Sequence, residues 1–97
     1  MHCKRHENNG RVVFALCDKE LIGKVISNGK ITLDLKTYAR FYIGDDIKLL
    51  EECEGKFESI NAIGKKSVEF LIKKGYIKEE NCKYVGDVPH VQLYKIK

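Results

Sequence analysis

Apolar positions fall along the chain in short blocks, and the spacing inside each block points to an element. Arg11-Val12-Val13-Phe14-Ala15-Leu16-Cys17 is an apolar, β-branched run, which predicts a buried strand. Residues 1–6 are placed to pair with it across the turn Glu7-Asn8-Asn9-Gly10. Asp18 stands as the cap of a brief helical or turn segment, Lys19-Glu20-Leu21-Ile22-Gly23. Next, Lys24-Val25-Ile26-Ser27 and Lys30–Lys36 flank Asn28-Gly29. Asn-Gly tolerates positive φ at both turn positions, so this stretch predicts a type I′ hairpin. In its second arm Ile31, Leu33 and Leu35 alternate with Lys30, Thr32, Asp34 and Lys36, the pattern of a half-buried strand.

Thr37–Gly44 is aromatic without a single period and fits a loop with a short helical or extended piece. Asp45 and Asp46 open a helix through Glu54, with Ile47, Leu50 and Cys53 inward and Gly55 at its end. Phe57–Ile63 predicts another strand, broken by Gly64. Lys65–Lys74 carries the clearest helical stripe, Val68, Leu71 and Ile72. Lys73 and Lys74 suit its negative end, and Gly75 suits the position just beyond. Tyr76-Ile77 continues the core, residues 78–81 form a polar turn, and Lys83–Val85 forms a short strand. Val91–Ile96 is a last strand, with Val91 and Leu93 on one face and Gln92, Tyr94 and Ile96 on the other. Strands, helix, strand, helix, strands add up to a small α+β single domain over residues 1–97, with a mixed or antiparallel sheet and two helices.

A chain of 97 residues builds one core and has a small stability margin. Its apolar content, 43%, excludes wholesale disorder. No apolar run is long enough to span a membrane. Met1-His2-Cys3-Lys4-Arg5-His6 has no apolar stretch behind its charges, so no secretory signal is expected and the expected setting is cytoplasmic. The net charge of +4 is mild and forms no polybasic tail, which leaves room for a modest basic face toward RNA or the ribosomal surface. Cysteines 3, 17, 53 and 82 are widely spaced and are expected as free, mostly buried thiols.

Several stretches carry candidate chemistry. Gly64-Lys65-Lys66-Ser67 lies where a strand meets a helix but is not a P-loop, because Ser59 stands where the first glycine belongs and Lys66 where Ser or Thr belongs. What remains is a helix start with free amides beside Lys65 and Lys66, suited to an anion. His2, Cys3 and His6 lack the paired spacing of a structural zinc site, so no metal and no cofactor are expected. Cys17 with His90, with or without Asp18 next to Cys17, is the best thiol nucleophile and base on offer, set against a buried inert thiol. Pro89, the single proline, stiffens the entry to the last strand. From there His90, Gln92 and Tyr94 project from one face as imidazole, carboxamide and phenol. Tyr38, Arg40, Phe41 and Tyr42 interleave rings with charge, as base-stacking surfaces do. Of these rings Phe41 is expected in the core and Tyr42 at the surface.

Four stretches together resemble a small archaeal family of uncharacterised proteins, domain-of-unknown-function family 424. They are Ala15–Lys24, Phe41-Tyr42-Ile43-Gly44, Asn61-Ala62-Ile63-Gly64 with its following helix, and Gly86-Asp87-Val88-Pro89-His90-Val91-Gln92. The resemblance implies an archaeal, cytoplasmic, compact α+β domain and an association with the translation machinery. It brings no activity, cofactor or catalytic residue.

The expectation is a non-enzymatic binding domain acting near RNA or the ribosome. Its composite surface would join Arg40, Tyr42, Asn61, Gly64, Lys65, Lys66, Pro89, His90 and Gln92. Lys65 and Lys66 would contact phosphate, Tyr42 would stack, and His90 with Gln92 would read polar edges. The alternatives are a small enzyme or ligand-binding domain with a Cys17/His90 pocket, and an adaptor taking a protein partner at an exposed strand edge.

Overall fold

The computed structural model describes residues 1–95. Strands β1 (His2–Asn8) and β2 (Arg11–Cys17) form an antiparallel pair in which Asn8 faces Arg11. Both residues between them, Asn9 and Gly10, have positive φ (53° and 80°). That is the two-residue turn whose twist matches its flanking strands. A short 3₁₀ turn at Lys19–Leu21 leads to a second, separate hairpin, β3 (Val25–Ser27) and β4 (Thr32–Asp34). Helix α1 (Ala39–Tyr42) and helix α2 (Ile47–Glu52) follow. Then come β5 (Ser59–Ile63), helix α3 (Lys65–Lys73), β6 (Lys83–Val85) and β7 (Val88–Tyr94). The main sheet runs β1-β2-β5-β7-β6, with β2 and β5 parallel and the other pairs antiparallel. The expected α+β class with a mixed sheet is therefore what the chain forms. A third, four-residue helix occupies the aromatic stretch that fitted either helix or extended chain.

Alternation along the strands sorts the core onto two faces. On one face Phe14, Leu16, Ile60, Ala62 and Val91 pack against Leu50 of α2, Val68 and Leu71 of α3, and Ile77. On the other, Ala15, Cys17, Ile63 and Val85 pack against Leu33 and Leu35 from the hairpin and Tyr42 from α1. The hairpin and α1 cover only part of this second face. Gln92 and Tyr94 stay exposed beyond them, Tyr94 at 67%. The expected last strand starts earlier than Val91, and Ile96 lies outside the described residues.

Two local expectations are corrected, and a third gains a second role. The type I′ turn forms at Asn9-Gly10 and not at Asn28-Gly29, where only Gly29 has positive φ. Asn28 Oδ1 instead accepts from the amides of Lys30 (2.9 Å) and Ile31 (2.8 Å). This closes a four-residue loop between the paired Ser27 and Thr32, and Ile31 is left at the rim. Asp46 opens α2 as expected, but its side chain serves elsewhere. Its Oδ2 accepts from the outward amide of Arg5 (2.8 Å), while Cys3 exchanges backbone bonds with Gly44 and Asp46. Residues 44–46 thus close the β1 edge from Cys3 to Arg5, and the opposite edge is only three residues long. Neither edge offers a long run of free backbone to a partner. Asp18 caps a different helix from the one beside it in sequence.

Candidate functional site

At the end of β2 the Asp18 amide donates to Ile63 O (3.1 Å), which sets Asp18 beside the start of α3. Its carboxylate is buried. Oδ2 accepts from the Lys66 amide (3.1 Å), and Oδ1 accepts from the Ser67 amide and hydroxyl (2.8 Å each). Gly64 is what lets Asp18 in. Its φ is +110°, and a Cβ there would stand 2.3–2.6 Å from the three carboxylate atoms. The Lys66 and Ser67 amides, expected to be free for an outside anion, are therefore already taken by the chain's own carboxylate. Lys65 and Lys66 are exposed, and Lys66 Nζ lies 3.5 Å from Glu20 Oε1.

The Cys17/His90 pair is not formed either. Cys17 is fully buried, its thiol donates to Asp18 O (3.3 Å), and burial, with the nearby Asp18 and Glu20 charges, pushes it up to about 12. Cys17 faces Ile63, and Ile63 faces His90 on the next strand. Two strand spacings, about 10 Å, separate thiol from imidazole, too far for general-base activation.

The second sheet face holds a cleft of about 400 Å³. Asn61 from β5 with His90 and Gln92 from β7 form its floor, and Tyr42 closes its inner wall. The rim is Tyr38 and Phe41 on one side and the Ile31–Asp34 arm of the hairpin on the other. Register makes the floor: Asn61 lies directly opposite Gln92, and Ile63 opposite His90. The two aromatic expectations are reversed. Tyr42 turns onto the sheet at 6% exposure, and its hydroxyl donates to Asn61 Oδ1 (3.0 Å). Phe41 faces outward at 38% exposure, stacks on His6 (4.3 Å between centroids), and its carbonyl takes a hydrogen bond from His6 Nε2 (2.8 Å). Tyr38 is 64% exposed. Neighbouring positions on a helix point about 100° apart, so the phase of one short turn decides which ring is buried. His90 is half-buried, and burial followed by the neighbouring Lys83 charge lowers its proton affinity.

Of the nine expected site residues, the fold gathers Tyr42, Asn61, His90 and Gln92 in this cleft. Gly64, Lys65, Lys66 and Pro89 gather instead at the start of α3, around a smaller depression with Asp18. There the Gly64 amide donates to Pro89 O (2.9 Å). Arg40 is exposed on α1 and lines neither. Tyr38 and Phe41 at the rim were visible in sequence as rings but not as the exposed ones.

The fold and cleft define a small α+β domain with a mixed sheet, one face of which is half-covered and carries a polar recess under exposed rings. The chain belongs to a family of proteins of unknown function, DUF424, whose model matches residues 6–96. The resemblance drawn from its sequence motifs is thereby borne out. The chain is also similar to the crystal structure of an uncharacterised conserved protein from Methanopyrus kandleri. The two share 29% sequence identity and a TM-score of 0.76, over 96% of this chain and 89% of that one. No curated protein matches the chain. Among the described residues no helix is long and apolar enough to cross a membrane.

Proposed function

We propose that this chain is a non-enzymatic binding domain for single-stranded RNA, free or on the ribosome, in an archaeal, cytoplasmic setting beside the translation machinery. The observation that carries the proposal is the cleft itself: exposed Tyr38 and Phe41 over a floor of Asn61, His90 and Gln92. Unstacked bases are held by rings on their faces and by amide and imidazole groups on their edges, and this arrangement supplies both. The net charge of +4 supplies the sign needed toward a phosphate backbone. The Cys17/His90 enzyme loses its nucleophile to burial, and the closed β1 edge speaks against a strand-adding adaptor.

The test is fluorescence anisotropy with labelled single-stranded RNA of roughly ten nucleotides, at several salt concentrations. Binding should weaken as salt rises, with a log–log slope near −0.7 per phosphate contact. Tyr38→Ala and Phe41→Ala should each cost about 1–3 kcal/mol, and Lys65→Ala with Lys66→Ala should cost little. Absence of binding at low salt would sink the proposal.

A further inference from the structure

The sheet face that floors the cleft runs on past it. Register lines up His6 of β1, Val13 of β2, Ser59 of β5 and Tyr94 of β7 in one row, and alternation puts that row on the cleft's face. The neighbouring row holds Asn61 and Gln92, about 7 Å away along the strands. Two ring-bearing side chains, His6 and Tyr94, thus stand three strand spacings or about 14 Å apart, with the shorter Val13 and Ser59 between them. The row is a trough. At its β1 end it opens into a second depression, of about 500 Å³, lined by His6, Asn8, Asn9, Arg11 and Val13. The wall between this depression and the cleft is the stack of His6, which lines the first, on Phe41, which lines the second. Arg11 is exposed, and its one ion-pair partner among the described residues is Glu58, at 3.7 Å. An exposed pair of that length is weak, and the guanidinium keeps further donors free for a phosphate.

We infer that a single-stranded RNA seated in the cleft continues over the step from Gln92 to Tyr94 and lays a further nucleotide in this trough, its base stacked on Tyr94 and its phosphate met by Arg11; this rests on the RNA-binding reading of the cleft. A lone exposed tyrosine is an ordinary surface residue. Three features set Tyr94 apart. It shares a sheet face with the cleft floor, one side-chain row away, so a strand leaving the cleft along β7 reaches it next. The side chains beside it, Ser59 and then Val13, are short enough to leave room for a base against its ring. The cation at the far side of the trough is the kind a nucleotide backbone needs. The surroundings are too polar for a protein docking patch: His6, Ser59, Gln92, Asn8 and Arg11 frame only Val13 and the Tyr94 ring. Stacking on a ring accepts any base, so this second position adds affinity and length of contact and reads no sequence.

The experiment titrates a labelled mixed-sequence single-stranded RNA of roughly ten nucleotides against the wild-type chain, Tyr94→Ala, Tyr94→Phe and Arg11→Ala at several salt concentrations, with circular dichroism confirming that each variant is folded. Tyr94→Ala should bind roughly tenfold more weakly, and Tyr94→Phe, which keeps the ring, should bind like wild type. Arg11→Ala should lower the log–log salt slope by about 0.7, the share of one phosphate contact on a single strand. Wild-type binding that Tyr94→Ala leaves unchanged, that Tyr94→Phe weakens as much as Tyr94→Ala does, or whose salt slope survives Arg11→Ala would overturn the inference and leave the cleft as the RNA site. A wild-type dimer in sedimentation that Tyr94→Ala turns into a monomer would give the trough to a second copy of the chain and overturn it too. Failure of the wild-type chain to bind the RNA at low salt would overturn the RNA-binding reading and this inference with it.

Discussion

Replacing Gly64 with alanine should be among the most damaging single changes in the chain, and the reason is local. Gly64 sits at φ +110° and ψ 154°, a region that residues with a Cβ almost never enter. Backbone strain alone costs about 1–3 kcal/mol. The new Cβ would also fall 2.3–2.6 Å from the Asp18 carboxylate, so the carboxylate must withdraw. Its loss as a helix cap costs about 0.5–2 kcal/mol. The fully buried Ser67 hydroxyl would lose its acceptor, worth roughly another 1–3 kcal/mol. Together these come to roughly 4 kcal/mol, a large part of the about 5–15 kcal/mol available to a domain of this size. Urea unfolding followed by circular dichroism should show the midpoint falling by about 2 M at an ordinary slope. Gly10→Ala, at φ +80° with nothing within 4 Å, is the control for strain without collision and should cost about 1 kcal/mol. Asp18→Ala with Gly64→Ala should cost about 2 kcal/mol less than the two singles added, because Asp18→Ala removes the atoms that the Gly64→Ala Cβ collides with. A loss below about 1 kcal/mol for Gly64→Ala, or strict additivity, would refute the argument.

Other expectations follow from the same contacts. Cys17 and Cys3, both fully buried and both pushed up to about 12, should resist iodoacetamide at neutral pH while Cys53 and Cys82 label; peptide mass mapping reads this, and early labelling of Cys17 would reopen the thiol chemistry. His90 has a lowered proton affinity in the fold, so the unfolded chain takes its proton first. Its contribution to stability is therefore present above the ordinary histidine value of 6.5 and declines as pH falls below it. The urea midpoint should drop from pH 7.5 to 5.5 more in wild type than in His90→Gln, and equal drops would contradict this. Asp46→Ala should cost about 1 kcal/mol and speed hydrogen exchange at the Arg5 amide, since it removes the carboxylate that accepts from that amide; unchanged exchange would mean the edge is closed by other means.

How much of this was legible in the sequence follows the range of the forces involved. The apolar run Arg11–Cys17 and the Val68, Leu71, Ile72 stripe report burial directly, and both became elements close to where expected. The face shared by His90 and Gln92 was legible from strand alternation alone. What failed was decided by contacts distant in sequence. Asp18 looked like the cap of its own neighbours, yet its carboxylate serves amides 48 and 49 residues away. Asp46 opens α2 as expected, yet its carboxylate closes a strand edge 41 residues away. Neither destination leaves a periodic trace. The two Asn-Gly pairs are a finer case. Dipeptide identity is the same, but Asn28 can fold its side-chain carbonyl onto the amides of Lys30 and Ile31, and those local bonds decide the loop. At Tyr42 the burial pattern of a four-residue helix gave too few positions to set its phase.

The most direct test of the account is a chemical-shift map of the nitrogen-labelled chain titrated with single-stranded RNA. The account predicts that the amides of Tyr38, Phe41, Asn61, His90 and Gln92 move together and saturate, while Lys65, Lys66 and Ser67 stay in place under their Asp18 cap. Shifts centred on Gly64–Lys66 with a silent cleft would contradict it, and so would a spectrum that RNA leaves unchanged.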